Sequence, residues 1–478
     1  MRLEKPFLFV FFFILATVPL LFGARHPLIH GLYSFLLLLA GGSLLVLNYQ
    51  GPFRRILVFN RLAPLLILLF IGLSAAALPL FLLGAVSPVR AQYLADAVTF
   101  ADLRDAVPSL SYYAPGSMFY AVYGMALMLF FYASRYVLAS EKTLRRTLWI
   151  ITIVGLFEAV YGLLQATNPA LGVLWLPGSF AYEGTARGTI IYRNQYAALM
   201  NLCWPMAVVL GITMCKPALE KLEMLRRKDN TLSLVDRTSF LFQKATIPFW
   251  SAGLMILAIV FSRSRGGILV MLSIAALFIY LLPFFRRIKS LYAVLLLVFV
   301  GFYGGIIGFA GVIERFTYFY ASALNRIDIW YGSAAMLKDH LLTGIGMGGY
   351  EFLSPVYLTN VPAAVWYDRA HNEYVELAIE LGLPMMLLFL AWVFIGIAGY
   401  GANILKKKKI RLRPVQMQTN DIVTIGAFCA LVGFLLHAGV DFIWRLPANV
   451  IYAVVILAVL SSIRVRGGKA ETFEAEGC

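Results

Sequence analysis

The sequence predicts an all-α integral membrane protein of about twelve transmembrane helices, with both termini cytoplasmic and one long extracytoplasmic loop carrying short helices. Three observations predict this class. The chain is 61% hydrophobic and only 13% charged, whereas a soluble domain carries about 25% charged residues. Its mean hydropathy is +0.81, and 478 residues of this composition lack the polar side chains to cover a soluble surface. Its basic residues concentrate on alternate connections between apolar runs, as the positive-inside rule describes.

A helix needs about 20 apolar residues to cross the hydrocarbon core. Twelve runs qualify: 6–23, 28–48, 62–85, 116–138, 146–166, 189–214, 246–262, 266–285, 289–311, 373–400, 421–440 and 447–463. The first follows Met1-Arg-Leu-Glu-Lys and resembles a signal peptide, but it lacks a small-residue cleavage site and reads as a retained span. One set of connections, together with both termini, holds 28 of the 40 Lys and Arg, including Arg226-Arg227-Lys228, Arg286-Arg287 and Lys406 to Lys409. That set belongs in the cytoplasm, and an even number of spans then puts both termini there. The net charge of +16 is therefore a topology signal. No basic patch interleaved with stacking aromatics points to nucleic acid.

The chain reads as a single polytopic domain, 1–478, with outer connections at 86–115 and 312–372. The second contains "ERFTYFYASALNRIDIWYGSAAMLKDH", whose aromatics suit a membrane interface. Cys203, Cys215, Cys429 and Cys478 form no CxxC, and the first three read as small buried hydrophobes. "GIGMGG" at 344–349 matches a dinucleotide fingerprint but has no preceding βα unit, so it reads as a turn.

Charges at membrane depth are costly and point to function. Here they converge on the outer level: Arg193 at the start of the sixth span, Arg263 and Arg265 between the seventh and eighth, His371 at the start of the tenth, and Asp441 and Arg445 between the last two. Each has a simpler role. Arg193 can snorkel, Arg265 with two glycines can make a tight re-entrant turn, and His371 can bond backbone at a helix start. Asp441 and Arg445, four apart, are expected to pair with each other. Asn372, Glu376 and Glu380 share a helical face and are expected to form a polar seam between helices. Together, several guanidinium forks at one level suit a multiply charged phosphate group. Histidine titrates near neutrality, so a neutral His371 beside them suits proton abstraction from a hydroxyl. No Asp-x-Asp or Asp/His cluster has metal spacing, so the chemistry is expected to need neither metal nor cofactor. A phosphate-activated leaving group on a lipid fits an outer-face site where ATP is absent.

Five segments in this order, "YRNQYA" (192–197), "SRGG" (264–267), "RIDIWYGSAAMLKDHLLTGIGMGGY" (326–350), "HNEYVELAIELG" (371–382) and "HAGVDFIWRLPAN" (437–449), resemble the bacterial O-antigen ligase and polysaccharide polymerase superfamily. The resemblance runs over roughly 146–463, and the His-Asn-x-Tyr string after "GIG" is its most specific part. It implies inverting, metal-independent transfer of a glycan from an undecaprenyl-pyrophosphate-linked donor on the periplasmic face of the inner membrane. The acceptor it implies is lipid A-core for a ligase, or a lipid-linked repeat for a polymerase. Arg193 and Arg265 would hold the pyrophosphate, and His371 would activate the acceptor hydroxyl. Arg263 has no secure counterpart, Arg326 and Trp330 form a recurring Arg-x-x-x-Trp pattern, and Glu376 is a secondary candidate. Pro384 stands where relatives often show Gly. A secondary transporter is the reading from another class. Twelve spans suit one, but the charges converge on the outer level and no half is repeated.

Overall fold

The computed structural model describes residues 4–47, 59–101, 107–168, 170–174, 184–228, 246–282, 319–359, 366–409 and 418–475. They are helical almost throughout, so backbone polar groups are satisfied within each segment, as a bilayer requires. Fifteen α-helices are described. They are α1 (Glu4–Thr17), α2 (Pro27–Leu47), α3 (Phe59–Ser74), α4 (Leu80–Val86), α5 (Pro88–Ala101), α6 (Ala114–Val137), α7 (Glu141–Thr167) and α8 (Arg193–Lys228). After them come α9 (Ile247–Phe261), α10 (Arg265–Leu281), α11 (Phe319–Asp339), α12 (Tyr350–Tyr357), α13 (Glu373–Lys409), α14 (Thr419–Ala438) and α15 (Pro447–Ala475). Among the described residues, six helices are long and apolar enough to cross a membrane (α2, α6, α7, α8, α13 and α14), and four apolar segments are shorter. The expected span 289–311 lies outside the described residues.

Two expected spans end early, and proline accounts for both. The run 6–23 is helical only to Thr17, and a 3-10 turn follows at Phe22–Ala24. Pro19 has no N–H and clashes with the preceding turn of a helix. The run 62–85 breaks after Ser74, ahead of Pro79, and resumes as the short α4. The freed backbone finds partners in the segment before α6: the Leu78 N–H donates to Pro108 O at 2.7 Å, and the Ser111 N–H to Ser74 O at 2.8 Å.

α8 is the axis of the core. In an 18-residue apolar stretch of its Arg193–Lys216 part, 78% of residues are buried, against 17% in the corresponding stretch of Glu373–Lys406 on α13. It packs against α7, α9, α10, α14 and α15. α13 instead packs on α3, α11 and α14 and leaves much of its surface outward. Leu28, Leu32, Phe35 and Leu39 on α2, and Leu62, Leu66, Leu69 and Leu73 on α3, are exposed at three- and four-residue spacing. Such stripes suit contact with lipid tails.

α13 is interrupted at Gly382, whose φ of 75° and ψ of 159° leave the helix. The interruption precedes Pro384 and frees carbonyls that dock the "GIGMGG" turn: Ile345 and Gly346 N–H groups donate to Ile379 O and Glu380 O, each at 3.0 Å. Gly344, Gly346 and Gly348 all have positive φ, so the expected turn is present.

Candidate functional site

Asp441 lies in the non-helical connection between α14 and α15 and is 3% exposed. Its Oδ1 accepts from the Phe442 N–H at 2.9 Å and faces His371 Nδ1 at 3.3 Å. Its Oδ2 accepts from Asn194 Nδ2 and pairs with Arg326 Nη2 at 3.7 Å. Arg326 also donates from Nη1 to Val440 O at 2.9 Å. One carboxylate thus ties together the starts of α8 and α13 and a turn of α11. Burial alone would raise the Asp441 carboxyl, but the His371 hydrogen bond and charge, then Arg326 and the Phe442 N–H, hold it below the ordinary carboxylate range. The expected Asp441–Arg445 pair does not form. The four-apart rule holds only inside a helix, and residues 439–446 are not helical.

His371 has a φ of 52°, a left-handed conformation. Such backbone costs of order 1–3 kcal/mol and persists only where the surroundings fix it. They do so here. Trp330 Nε1 donates to Ala370 O at 2.9 Å, and the Ala370 N–H donates to Glu376 Oε2 at 3.1 Å. The imidazole lies edge-on to Phe442, with ring centres 5.0 Å apart, and its side chain keeps 23% exposure. Phe442 also packs on Tyr192, and its carbonyl accepts from Gln195 Nε2 at 3.1 Å. Asn372 caps α13, its Oδ1 accepting the Tyr374 N–H at 3.0 Å.

The glutamates of the polar seam expected on α13 form ion pairs with two arginines. Arg445 Nη2 meets Glu376 Oε1 at 2.7 Å and also bonds Glu380 Oε2, while its Nε lies 4.0 Å from Glu373 Oε2. Arg369 Nη1 reaches Glu376 Oε1 at 3.2 Å. Burial opposes charge on Arg445, and Glu380, Glu376 and Glu373 outweigh it. Burial opposes charge on Arg369 too, and Glu376 outweighs it. Glu380 Oε1 also accepts the Gly348 N–H at 2.9 Å. The cluster locks the backbone before His371 to α13, to the 439–446 connection and to the glycine turn. Removing one member of such a buried set costs about 3–5 kcal/mol.

Arg265 is the first residue of α10, and Ser264 caps that helix by accepting the Gly267 N–H at 3.2 Å. "SRGG" is therefore a helix start after a short 262–264 turn. Gly267 is required by close approach, because a Cβ there would meet the Ala197 Cβ of α8 at 2.5 Å. One turn along α8, Asn201 Nδ2 donates to Gly267 O at 3.0 Å. Arg265 lies within electrostatic reach of Arg326. Arg193, 9% exposed, opens α8 beside Asn194. Arg263, with a φ of 53°, turns toward residue 184, and none of the described contacts joins it to Asp441 or His371. Among the described residues, no group of three or more His, Cys, Asp or Glu is arranged to hold a metal ion.

Sequence reasoning missed Asn194 and the central place of Asp441, although both lie in segments it quoted. It also missed Arg187 and Glu158, buried at 2% and 0% exposure. A carboxylate in the middle of an apolar run was the available signal for Glu158.

Residues 250–390 match the O-antigen ligase family model, Wzy_C. The match takes in Arg265, Arg326, His371 and the three glutamates, and it leaves out Arg193, Asp441 and Arg445. No curated protein matches the chain. The O-antigen ligase match over residues 250–390 supports the resemblance to the bacterial O-antigen ligase and polysaccharide polymerase superfamily.

Proposed function

We propose that the protein is an O-antigen ligase-type glycosyltransferase, moving a glycan from undecaprenyl pyrophosphate to lipid A-core on the periplasmic face of the inner membrane. The observation that carries the reading is the Asp441 node, which draws His371, Arg326 and the Arg193–Asn194 helix start to one carboxylate. The Asp441 carboxylate accepts the Nδ1 proton of His371, leaving Nε2 with a lone pair. Nε2 takes the proton of the acceptor hydroxyl as its oxygen attacks the anomeric carbon. The new carbon–oxygen bond forms from the face opposite the pyrophosphate, and the carbon–oxygen bond to the pyrophosphate breaks, inverting the centre. Arg193 and Arg265, and secondarily Arg326, offset the negative charge that accumulates on the leaving pyrophosphate. Arg263, in the middle of the 262–264 turn, stays a secondary candidate. Glu376 acts through the Ala370 backbone that precedes His371 and not on substrate. No step draws on a metal or cofactor.

Reconstitution with an undecaprenyl-pyrophosphate glycan and two competing acceptors tests the reading. Glycan joined to lipid A-core supports a ligase. Lengthened lipid-linked glycan supports the polymerase alternative, which shares the donor chemistry. Solute flux without glycan transfer would overturn both.

A further inference from the structure

Glu158 lies inside α7 and is 0% exposed. Its Oε2 accepts the Thr189 N–H at 2.8 Å, and its Oε1 lies 2.6 Å from Thr189 Oγ1. The same Oγ1 lies 2.8 Å from the carbonyl oxygen of Pro19. A hydroxyl has one hydrogen to donate, and a carbonyl oxygen only accepts. If Thr189 donated to Glu158, two oxygens would face each other at 2.8 Å in the interior without a hydrogen between them. If Thr189 donates to Pro19, every contact is satisfied, provided that the second hydrogen belongs to Glu158. Two further contacts close in on Glu158. Tyr196 Oη donates to the backbone carbonyl of Glu158 at 3.0 Å, and Gly188 is so close that a Cβ there would meet Glu158 Oε2 at 2.0 Å.

We infer that Glu158 is a protonated carboxylic acid that positions the arginine-bearing approach to α8. Its acid O–H donates to Thr189 Oγ1, which donates in turn to Pro19 O, while its carbonyl oxygen accepts the Thr189 N–H. Gln165, on the same helix, holds the next strip of backbone: its Oε1 accepts the Arg187 N–H at 3.1 Å and its Nε2 donates to Gly188 O at 2.8 Å. Together the two side chains fix residues 187–189 on α7, and Arg193 follows within one short turn of chain. The positioning role rests on the proposed donor contact of Arg193. The protonation state does not.

Infrared difference spectroscopy in proteoliposomes at neutral pH, wild type minus Glu158→Gln, tests the protonation state. The expected result is loss of a carboxylic-acid carbonyl band with the carboxylate bands unchanged. Loss of carboxylate bands instead would overturn the assignment. Glutamine reproduces the pattern, with its amide donating to Thr189 Oγ1 and its carbonyl accepting the Thr189 N–H. Glu158→Gln should therefore transfer glycan within about threefold of wild type, whereas Glu158→Ala and Thr189→Val should lose about 100-fold, mostly as raised donor KM, because small misplacements of a substrate clamp cost that much. Wild-type donor KM in the folded Ala and Val variants would overturn the positioning role. A wild type without glycan transfer would overturn the donor reading and the positioning role with it, while the acid band is judged separately.

Discussion

Replacing Asp441 with asparagine probes the node on which the proposed chemistry depends. Each carboxylate oxygen faces two donors: Oδ1 faces the Phe442 N–H and His371, and Oδ2 faces Asn194 and Arg326. An asparagine offers one acceptor oxygen and one N–H₂ group. In one orientation its amide confronts Asn194 and Arg326, and in the other it confronts the Phe442 N–H and His371. Either way two contacts are lost and donors are turned against donors. A hydrogen bond to a charged group contributes about 1.5–3 kcal/mol, so two lost contacts remove roughly 3–6 kcal/mol of local stability. The imidazole also loses the group that fixes its tautomer. General-base assistance contributes about 10²–10⁴-fold, and Asp441→Asn should fall by at least about 10²-fold in transfer. The same geometry specifies a rescue. In Asn194→Asp with Asp441→Asn, the new amide donates to the new carboxylate, Arg326 keeps an anionic partner, and the acceptor oxygen stays toward His371. Single-turnover transfer in proteoliposomes should recover at least about tenfold in the double variant. Full activity in Asp441→Asn, or a double variant no better than the single, would refute the reasoning.

Other outcomes follow from the same geometry. Arg193→Ala and Arg265→Ala should insert normally yet lose donor-dependent transfer; full activity in either would remove that arginine from the pyrophosphate site. Gly267→Ala drives a methyl group to 2.5 Å from the Ala197 Cβ, so α10 must shift and donor KM should rise about as much as in Arg265→Ala; an unchanged KM would show that Arg265 tolerates displacement. Burial pushes the His340 imidazole down to about 4, with Asp339 opposing and Arg90 assisting, and the Tyr112 and Tyr357 rings pack around it. An unfolded histidine titrates near 6.5, so the unfolded chain binds the extra proton first, and stability should fall as pH drops from about 6.5 toward about 4. Thermal unfolding of His340→Phe should lack that part of the pH dependence; an unaltered profile would place its origin elsewhere.

Hydropathy made most helices legible, including the 262–264 break between α9 and α10, because a bilayer demands continuous apolar runs. It could not locate the break after Ser74, since apolar residues continue through it and only Pro79 marks the change. The segments that carry the charged residues were legible for the same reason, but their partners were not. Asp441 and Arg445 look like a helical pair until the connection proves non-helical. Arg445 then reaches back to α13, and Asp441 reaches partners 70 and 247 residues away. Glu158 read as part of a plain span because its partner, Thr189, lies 31 residues downstream. Pairings of this kind depend on tertiary distance, to which periodicity and spacing are blind.

The central claim is that His371 removes the acceptor proton while the arginines hold the donor. Single-turnover transfer and donor binding, measured side by side for His371→Ala in proteoliposomes with an undecaprenyl-pyrophosphate glycan, test it most directly. The account predicts donor binding within a few-fold of wild type and transfer reduced by about 10²–10⁴-fold, the range that general-base catalysis supplies. Undiminished transfer by His371→Ala would contradict it.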